Sequence, residues 1–394
     1  MKKKFACLAM AMVMVLSLAA CGGKKEEAPA AAPAESGSDS SVSVFKVGTI
    51  GPLSGDAAIY GQAVANGAKI AVDEINAAGG AIQFELQSQD DEADGEKSVN
   101  AYNTLMDWGM QVMVGPTTTG ASIAVSAQAN ADRTFMLTPS ASSVDVIDGK
   151  DNVFQVCFTD PNQGVASADY ISANMAGAKV AVIYRNDDAY SQGIRDTFVS
   201  EAADKGLEVV YEGTFTADTA TDFSVQLTGA QSAGADTVFL PIYYQPASVI
   251  LNQANAMGYE PTFFGVDGMD GILTMEGFDT SLAEGVMLLT PFSADAEDAR
   301  TQTFVKAYQD QFGETPNQFA ADAYDAVYIY AAALEAAGCT ADMSSDDICE
   351  ALVGVMTTIS VDGLTGQGMT WDASGAVSKA PMAVIIENGT YVLP

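Results

Sequence analysis

The sequence contains no histidine. That removes the usual general base near neutral pH, the commonest metal ligand and every Ser-His or Cys-His catalytic arrangement. Positive charge is scarce as well: 17 Lys and Arg stand against 51 Asp and Glu in 394 residues, a formal net charge of −34. A chain so acidic has no surface to neutralise phosphates, which argues against nucleic acid as a partner. Its field also disfavours small anions, although salt screens it beyond ~8–10 Å. A net-neutral solute fits most easily; alternatively the acidity serves solubility alone. There are five cysteines, no Cys-x-x-Cys pair and hence no zinc or redox motif. The apolar stretch at 5–16 is shorter than the ~20 residues a spanning helix needs.

That stretch follows Lys2, Lys3 and Lys4 and precedes Leu18-Ala19-Ala20-Cys21, which looks like a bacterial lipobox. The reading is a signal peptide at 1–20, lipidation of Cys21 and an anchor on the outer face of the cytoplasmic membrane. The next segment, 21–43, is rich in Ala, Pro, Ser and Gly and reads as a disordered tether reaching roughly 25 Å. Cys7 leaves with the signal peptide, so Cys157, Cys339 and Cys349 remain beside the lipidated Cys21. Cys339 and Cys349 closing a small disulfide, or all three staying reduced, are both open.

The length suggests two lobes after the tether. Val47, Thr49 and Ile50 form a β-branched strand ending at Gly51-Pro52. Ala63, Ala68, Ile70, Ala71 and Ile75 then recur at helical spacing until Gly79-Gly80. Strands at 84–89, 111–114 and 134–137 alternate with helices at 97–108 and from Gly120. A second series has helices at 163–174, 191–205, 223–233 and 247–257, with strands at 180–184, 207–211, 237–240 and 262–265. Such alternation implies two parallel sheets flanked by helices, an α/β fold of two Rossmann-like lobes. The chain is mostly helical over 293–358, with Phe304, Tyr308, Phe312, Tyr324, Val327 and Tyr328 on buried faces, and Asn388-Gly389 marks a hairpin.

Gly115-Pro116-Thr117-Thr118-Thr119-Gly120-Ala121-Ser122 has the glycine spacing of a phosphate loop but Ala121 where that motif needs lysine, so nucleotide binding is not expected. Backbone N–H groups at a helix start can still hold one carboxylate, or the segment is a polar cap without a ligand. Asp90, Glu92, Asp94 and Gly95 imitate a calcium loop, yet its twelfth position is Ala101 where a bidentate Glu is required. No metal and no cofactor is implied.

The chain resembles the branched-chain amino-acid binding proteins of ABC importers. The resemblance rests on Pro52-Leu53-Ser54-Gly55, Tyr60-Gly61 and Ile75-Asn76-Ala77-Ala78-Gly79-Gly80, then the Gly115 segment, Thr138-Pro139-Ser140-Ala141-Ser142 and Asp362-Gly363-Leu364-Thr365-Gly366. It implies a type I periplasmic-binding-protein fold joined by a three-segment hinge, with 44–159 and 291–365 in lobe 1 and 160–290 and 366–394 in lobe 2. It also implies a ligand in the cleft, with Thr119 and Ser142 on its carboxylate and the backbone of Ser140 on its ammonium. Tyr60 would line the side-chain pocket. Tyr190, Tyr243 and Asp267 follow strands, where open α/β sheets bind ligands; the acid would pair with the ammonium. Core or rim packing is the alternative for each tyrosine. The implied protein is a monomeric binding lipoprotein, not an enzyme, that delivers an amino acid, branched-chain or otherwise hydrophobic, to an ABC permease. A sensory protein for an amide or other small polar solute is the competing function.

Overall fold

The computed structural model describes residues 43–394; the expected signal peptide, Cys21 and the tether up to residue 42 lie outside the described residues. The first series is β1 (Ser43–Gly51), α1 (Ala58–Ala78), β2 (Ile82–Asp90), α2 (Gly95–Trp108), β3 (Val112–Val114), α3 (Thr119–Ala131), β4 (Phe135–Thr138) and β5 (Val153–Gln155). Its five strands form a parallel sheet in the order β2-β1-β3-β4-β5.

The second series runs α4 (Asp160–Asn174), β6 (Lys179–Arg185), α5 (Ala189–Lys205), β7 (Glu208–Phe215), α6 (Ser224–Ser232), β8 (Thr237–Leu240), α7 (Tyr244–Met257), β9 (Thr262–Gly265) and β10 (Met287–Thr290). Three helices follow, α8 (Ala299–Phe312), α9 (Gln318–Ala337) and α10 (Ser345–Met356), then the hairpin of β11 (Met382–Glu387) and β12 (Thr390–Val392). The second sheet has the order β12-β11-β10-β9-β8-β6-β7 and is parallel except at the hairpin edge. Asn388 and Gly389 both take positive φ, as a two-residue type I′ turn demands.

Local chemistry sets these boundaries. Asp94 caps α2 by accepting from the Lys97 N–H, Thr159 caps α4, and Asn317 caps α9 by accepting from the Ala320 N–H. Helix α9 is apolar on nearly all sides and returns late in the chain to cover the first sheet, packing on α1, β2 and β3. Gly67 makes the α1–α9 approach possible: a Cβ there would lie 2.0 Å from the Ala320 carbonyl oxygen.

Two buried strands, β5 and β10, were not expected from the sequence; each follows the preceding strand without an α-helix between them, so the alternation that betrays the others is missing. The expected boundary of the third crossing also shifts. The segment after residue 365 does not turn at once to the second lobe: Trp371 Nε1 donates to the Gln155 carbonyl at 2.8 Å, the Gln155 N–H donates to the Gly375 carbonyl at 2.9 Å, and Lys379 reaches Asp322 of α9 at 2.7 Å. Residues 366–379 therefore pack with the first sheet, held by a buried ion pair, and the chain joins the second sheet only at Met382. Of the two cysteine states, the structure has the reduced one: Cys157, Cys339 and Cys349 are free and buried. Burial pushes the Cys349 thiol up to about 12. Among the described residues, no helix is long and apolar enough to cross a membrane.

Candidate functional site

The C-terminal ends of both sheets face one small cavity, because each expected polar or aromatic group sits just past a strand or at a helix start. From the first sheet's side come Tyr60 in the first turn of α1, Thr117, Thr118 and Thr119 where β3 passes into α3, and Ser140 after β4. Tyr190 at the start of α5, Tyr243 before α7, and Asp267 and Gly268 after β9 face them from the second. Phe319, near the N-terminus of α9, closes the remaining wall.

On the first side the hydroxyls divide into occupied and free. Ser140 Oγ donates to the Thr117 carbonyl at 2.6 Å, and Thr117 Oγ1 donates to the Ile50 carbonyl at 3.3 Å. Thr118 Oγ1 and Thr119 Oγ1 are buried without any protein partner. Thr118 is the N-cap residue of α3, yet its side chain makes no capping bond. Two orphaned hydroxyls at a helix N-terminus form a neutral, donor-rich face suited to a carboxylate.

Opposite them, Asp267 is 3 % exposed and Tyr190 Oη donates to its Oδ1 at 2.5 Å. Its backbone is fixed from two directions: its N–H donates to Gln163 Oε1 at 3.1 Å, and its carbonyl accepts from Gln318 Nε2 at 2.8 Å. Burial raises the Asp267 carboxyl to about 7; the bonds from Tyr190, Gln163 and Gly268 oppose this, and the Asp322 charge adds to it. Tyr60, Tyr190 and Tyr243 are pushed well above their ordinary range by burial and remain neutral.

An aromatic wall joins the two faces. The Tyr60 ring meets Phe319 at 4.5 Å, Tyr244 at 5.0 Å and Tyr243 at 5.4 Å between centroids, and Tyr190 stacks on Tyr243 at 4.9 Å. The Tyr60 hydroxyl crosses between the sheets, donating to the Gly268 carbonyl and accepting from the Tyr244 N–H at 3.2 Å. Beyond Thr118 and Tyr243 a wider polar recess of about 530 Å³ includes Asp56, Arg185, Asp187 and Asp188.

Six of the seven sequence-expected ligand residues thus share the cavity: Tyr60, Thr119, Ser140, Tyr190, Tyr243 and Asp267. Ser142 does not. Its hydroxyl is fully buried behind the wall, 3.4 Å from Gln163 Nε2, because the loop after Ser140 turns inward there. Beside it Asp160 is buried with both carboxyl oxygens unpartnered, and burial holds its carboxyl well above the usual range. Sequence reading missed Thr118, Gly268, Phe319 and the supporting Gln163 and Gln318. For Phe319 the available signal was Pro316-Asn317, a helix start that places an aromatic residue in the first turn of α9. Among the described residues no group of three His, Cys, Asp or Glu side chains is placed to hold a metal.

The raised carboxyl predicts a pH dependence with a definite sign. Between the unfolded value of ~3.9 and the folded value of about 7, the folded state holds the extra proton. The stabilisation from this group is complete below the lower value and lost as pH rises through the upper. The unfolding free energy of ligand-free wild type, relative to Asp267→Asn, is expected to fall between pH 5 and pH 8, by at most about 1.4 kcal/mol per pH unit. A constant difference across that range would contradict the assignment.

Residues 44–390 match the family described as periplasmic binding protein. The chain is 32 % identical over 311 residues to a Leu/Ile/Val-binding protein homolog of Brucella melitensis, covering 76 % of this chain and 81 % of the relative. Among solved structures it resembles the branched-chain amino acid transporter substrate-binding protein LivJ of Streptococcus pneumoniae in complex with isoleucine, at 31 % identity and a TM-score of 0.79, covering 88 % of this chain and 97 % of that one. The leucine-binding protein LivK of Thermotoga maritima gives 26 % identity and a TM-score of 0.79, covering 89 % and 97 %.

Proposed function

We propose a transport role on the premise that this chain belongs to the periplasmic binding protein family. It is the substrate-binding protein of an ABC transporter and not an enzyme: it captures an amino acid in the cleft between its two sheets and delivers it to a permease. The observation that carries this reading is the pairing, in one small cavity, of a buried acid, Asp267, with the orphaned hydroxyls of Thr118 and Thr119. A zwitterion needs opposite treatment at its two ends. Thr118, Thr119 and the N-terminus of α3 receive the carboxylate, while Asp267 and the backbone carbonyl of Ser140 receive the ammonium. Tyr60, Tyr190, Tyr243 and Phe319 enclose the side chain. Ser142 acts behind this layer, through Gln163. The names of the relatives, a Leu/Ile/Val-binding protein homolog and a branched-chain amino acid transporter protein in complex with isoleucine, support a hydrophobic amino acid as cargo.

Ligand binding and release require the sheets to separate and close about the three crossings. A thermal-shift screen of residues 43–394 against all amino acids, small amides and short organic acids tests the reading, since a tight ligand raises the melting point by mass action. Stabilisation by an amide or an organic acid but by no amino acid would overturn it.

The protein acts as a monomer held at the membrane through Cys21, a reading supported by the basic, then apolar, then Leu18-Ala19-Ala20-Cys21 start. Cys21→Ser is expected to move it from the membrane fraction to the soluble fraction. Retention of the variant in washed membranes would rule out acylation there as the anchor.

A further inference from the structure

We infer that the chain carries a second binding site, apart from the cleft, for a small organic amine with an apolar body. Its place is a cavity of about 290 Å³ where the turns after β9 and β10, the approach to α9 and the C-terminal hairpin meet. That volume lies near the lower end of the ~300–1,000 Å³ typical of small-molecule sites.

The floor of the cavity holds one acid in a fixed position. Asp270 is 3 % exposed, and its Oδ2 accepts from the Gln318 N–H at 2.9 Å, a bond that holds the start of α9. Its Oδ1 has no hydrogen-bond partner, and neither has the buried hydroxyl of Tyr391. Holding the helix therefore accounts for one carboxyl oxygen and leaves the other idle. Gly271 takes a φ of 103° to turn the chain after the acid, and a Cβ there would lie 2.7 Å from Ile59 Cγ2, so close packing against α1 keeps this backbone where it is. Burial raises the Asp270 carboxyl above its ordinary range against the Gln318 N–H and the nearby Tyr391 hydroxyl, and a cation at Oδ1 would relieve that cost.

The rest of the lining selects the charge and the body of the guest. Leu273, Phe292, Ala294 and Pro316 supply apolar surface, and Asp295 stands exposed at the mouth. Among the described residues no lysine or arginine lines the cavity, so neither acid has a cation beside it there. An ammonium donates in three directions and can meet Asp270 Oδ1 and the Tyr391 oxygen together, with its carbon body against the apolar wall. Water would serve the two oxygens but leave that wall wet. A carboxylate is opposed by both acids, which separates this site from the zwitterion-binding cleft, and the chain's net charge of −34 draws cations toward it.

Titration calorimetry with 2-phenylethylamine on the chain from residue 22 onward tests the inference. Wild type and Asp267→Ala are both expected to bind the amine, and Asp270→Asn to bind it about tenfold more weakly or worse. 2-Phenylethanol, alike in shape but uncharged, should also fall about tenfold short of the amine. Should Asp270→Asn not fold, the exposed Asp295→Lys, which sets a like charge at the mouth, is expected to weaken the amine severalfold. No binding at millimolar amine, or equal binding of the alcohol, overturns the inference. Binding lost in Asp267→Ala but kept in the Asp270 or Asp295 variant overturns it as well, because the amine would then sit in the cleft.

Discussion

Asp267→Ala is expected to weaken amino-acid binding by roughly two to four orders of magnitude, because a buried charge left without its partner costs ~3–5 kcal/mol. In the bound state the ligand ammonium would face a cavity whose remaining groups are neutral hydroxyls, amides and aromatic rings. The substitution need not harm the fold: Asp267 is itself penalised by burial, and its backbone remains held by Gln163 and Gln318. The variant should therefore melt close to wild type without ligand and lose most of its ligand-induced shift. An unchanged dissociation constant by calorimetry would refute the role given to this acid.

Lys379→Ala is expected to destabilise the folded protein by ~3–5 kcal/mol, the scale for breaking a buried ion pair from one side. Lys379 Nζ lies 2.7 Å from Asp322 Oδ1 and 2.5 Å from Thr365 Oγ1, with both charged side chains only 2 % exposed. Asp325, one turn along α9, accepts from the Leu364 and Thr365 N–H groups and the Thr365 hydroxyl. Without the ammonium, two acids are left on the buried side of one helix. Burial already raises Asp322 to about 6 against the opposing charge of Lys379; without the ammonium the carboxyl rises further, and protonation relieves more of the loss at pH 5 than at pH 8. A urea midpoint unchanged at pH 8 would show that this pair contributes nothing to holding the last crossing.

The two-sheet architecture was legible because long helices and half-buried strands repeat their apolar positions with the right period, and because glycines end the helices. Val180 to Tyr184 and Thr237 to Leu240 are almost wholly buried and were legible instead as short apolar runs alternating with helices. β5 and β10 were not legible, since each follows the preceding strand with no α-helix between them and so breaks the strand–helix alternation that marks the others. The course of residues 366–379 was hidden for another reason: it follows from Lys379 finding Asp322, a contact 57 residues away.

The site divides in the same way. Tyr190, Tyr243 and Asp267 could be picked out because a residue just past a parallel strand lies at the sheet end whatever its neighbours. Ser142 could not be placed, because whether a loop turns inward after its second residue depends on Asp160 and Gln163 packing beneath it. Phe319 belongs to a helix that joins the first sheet from the far end of the sequence, so no local pattern could bring it beside Tyr60.

That late return of α9 has a consequence for how the protein is made. A chain threaded from its N-terminus across a membrane presents Val64, Ala68 and Ala71 of α1 long before residues 318–337 arrive to cover them. The first half cannot finish folding while the second is still emerging, so its bare strip must be shielded until almost the whole polypeptide is through. A fragment ending near residue 290 should accordingly be insoluble or rapidly degraded, however complete its strands.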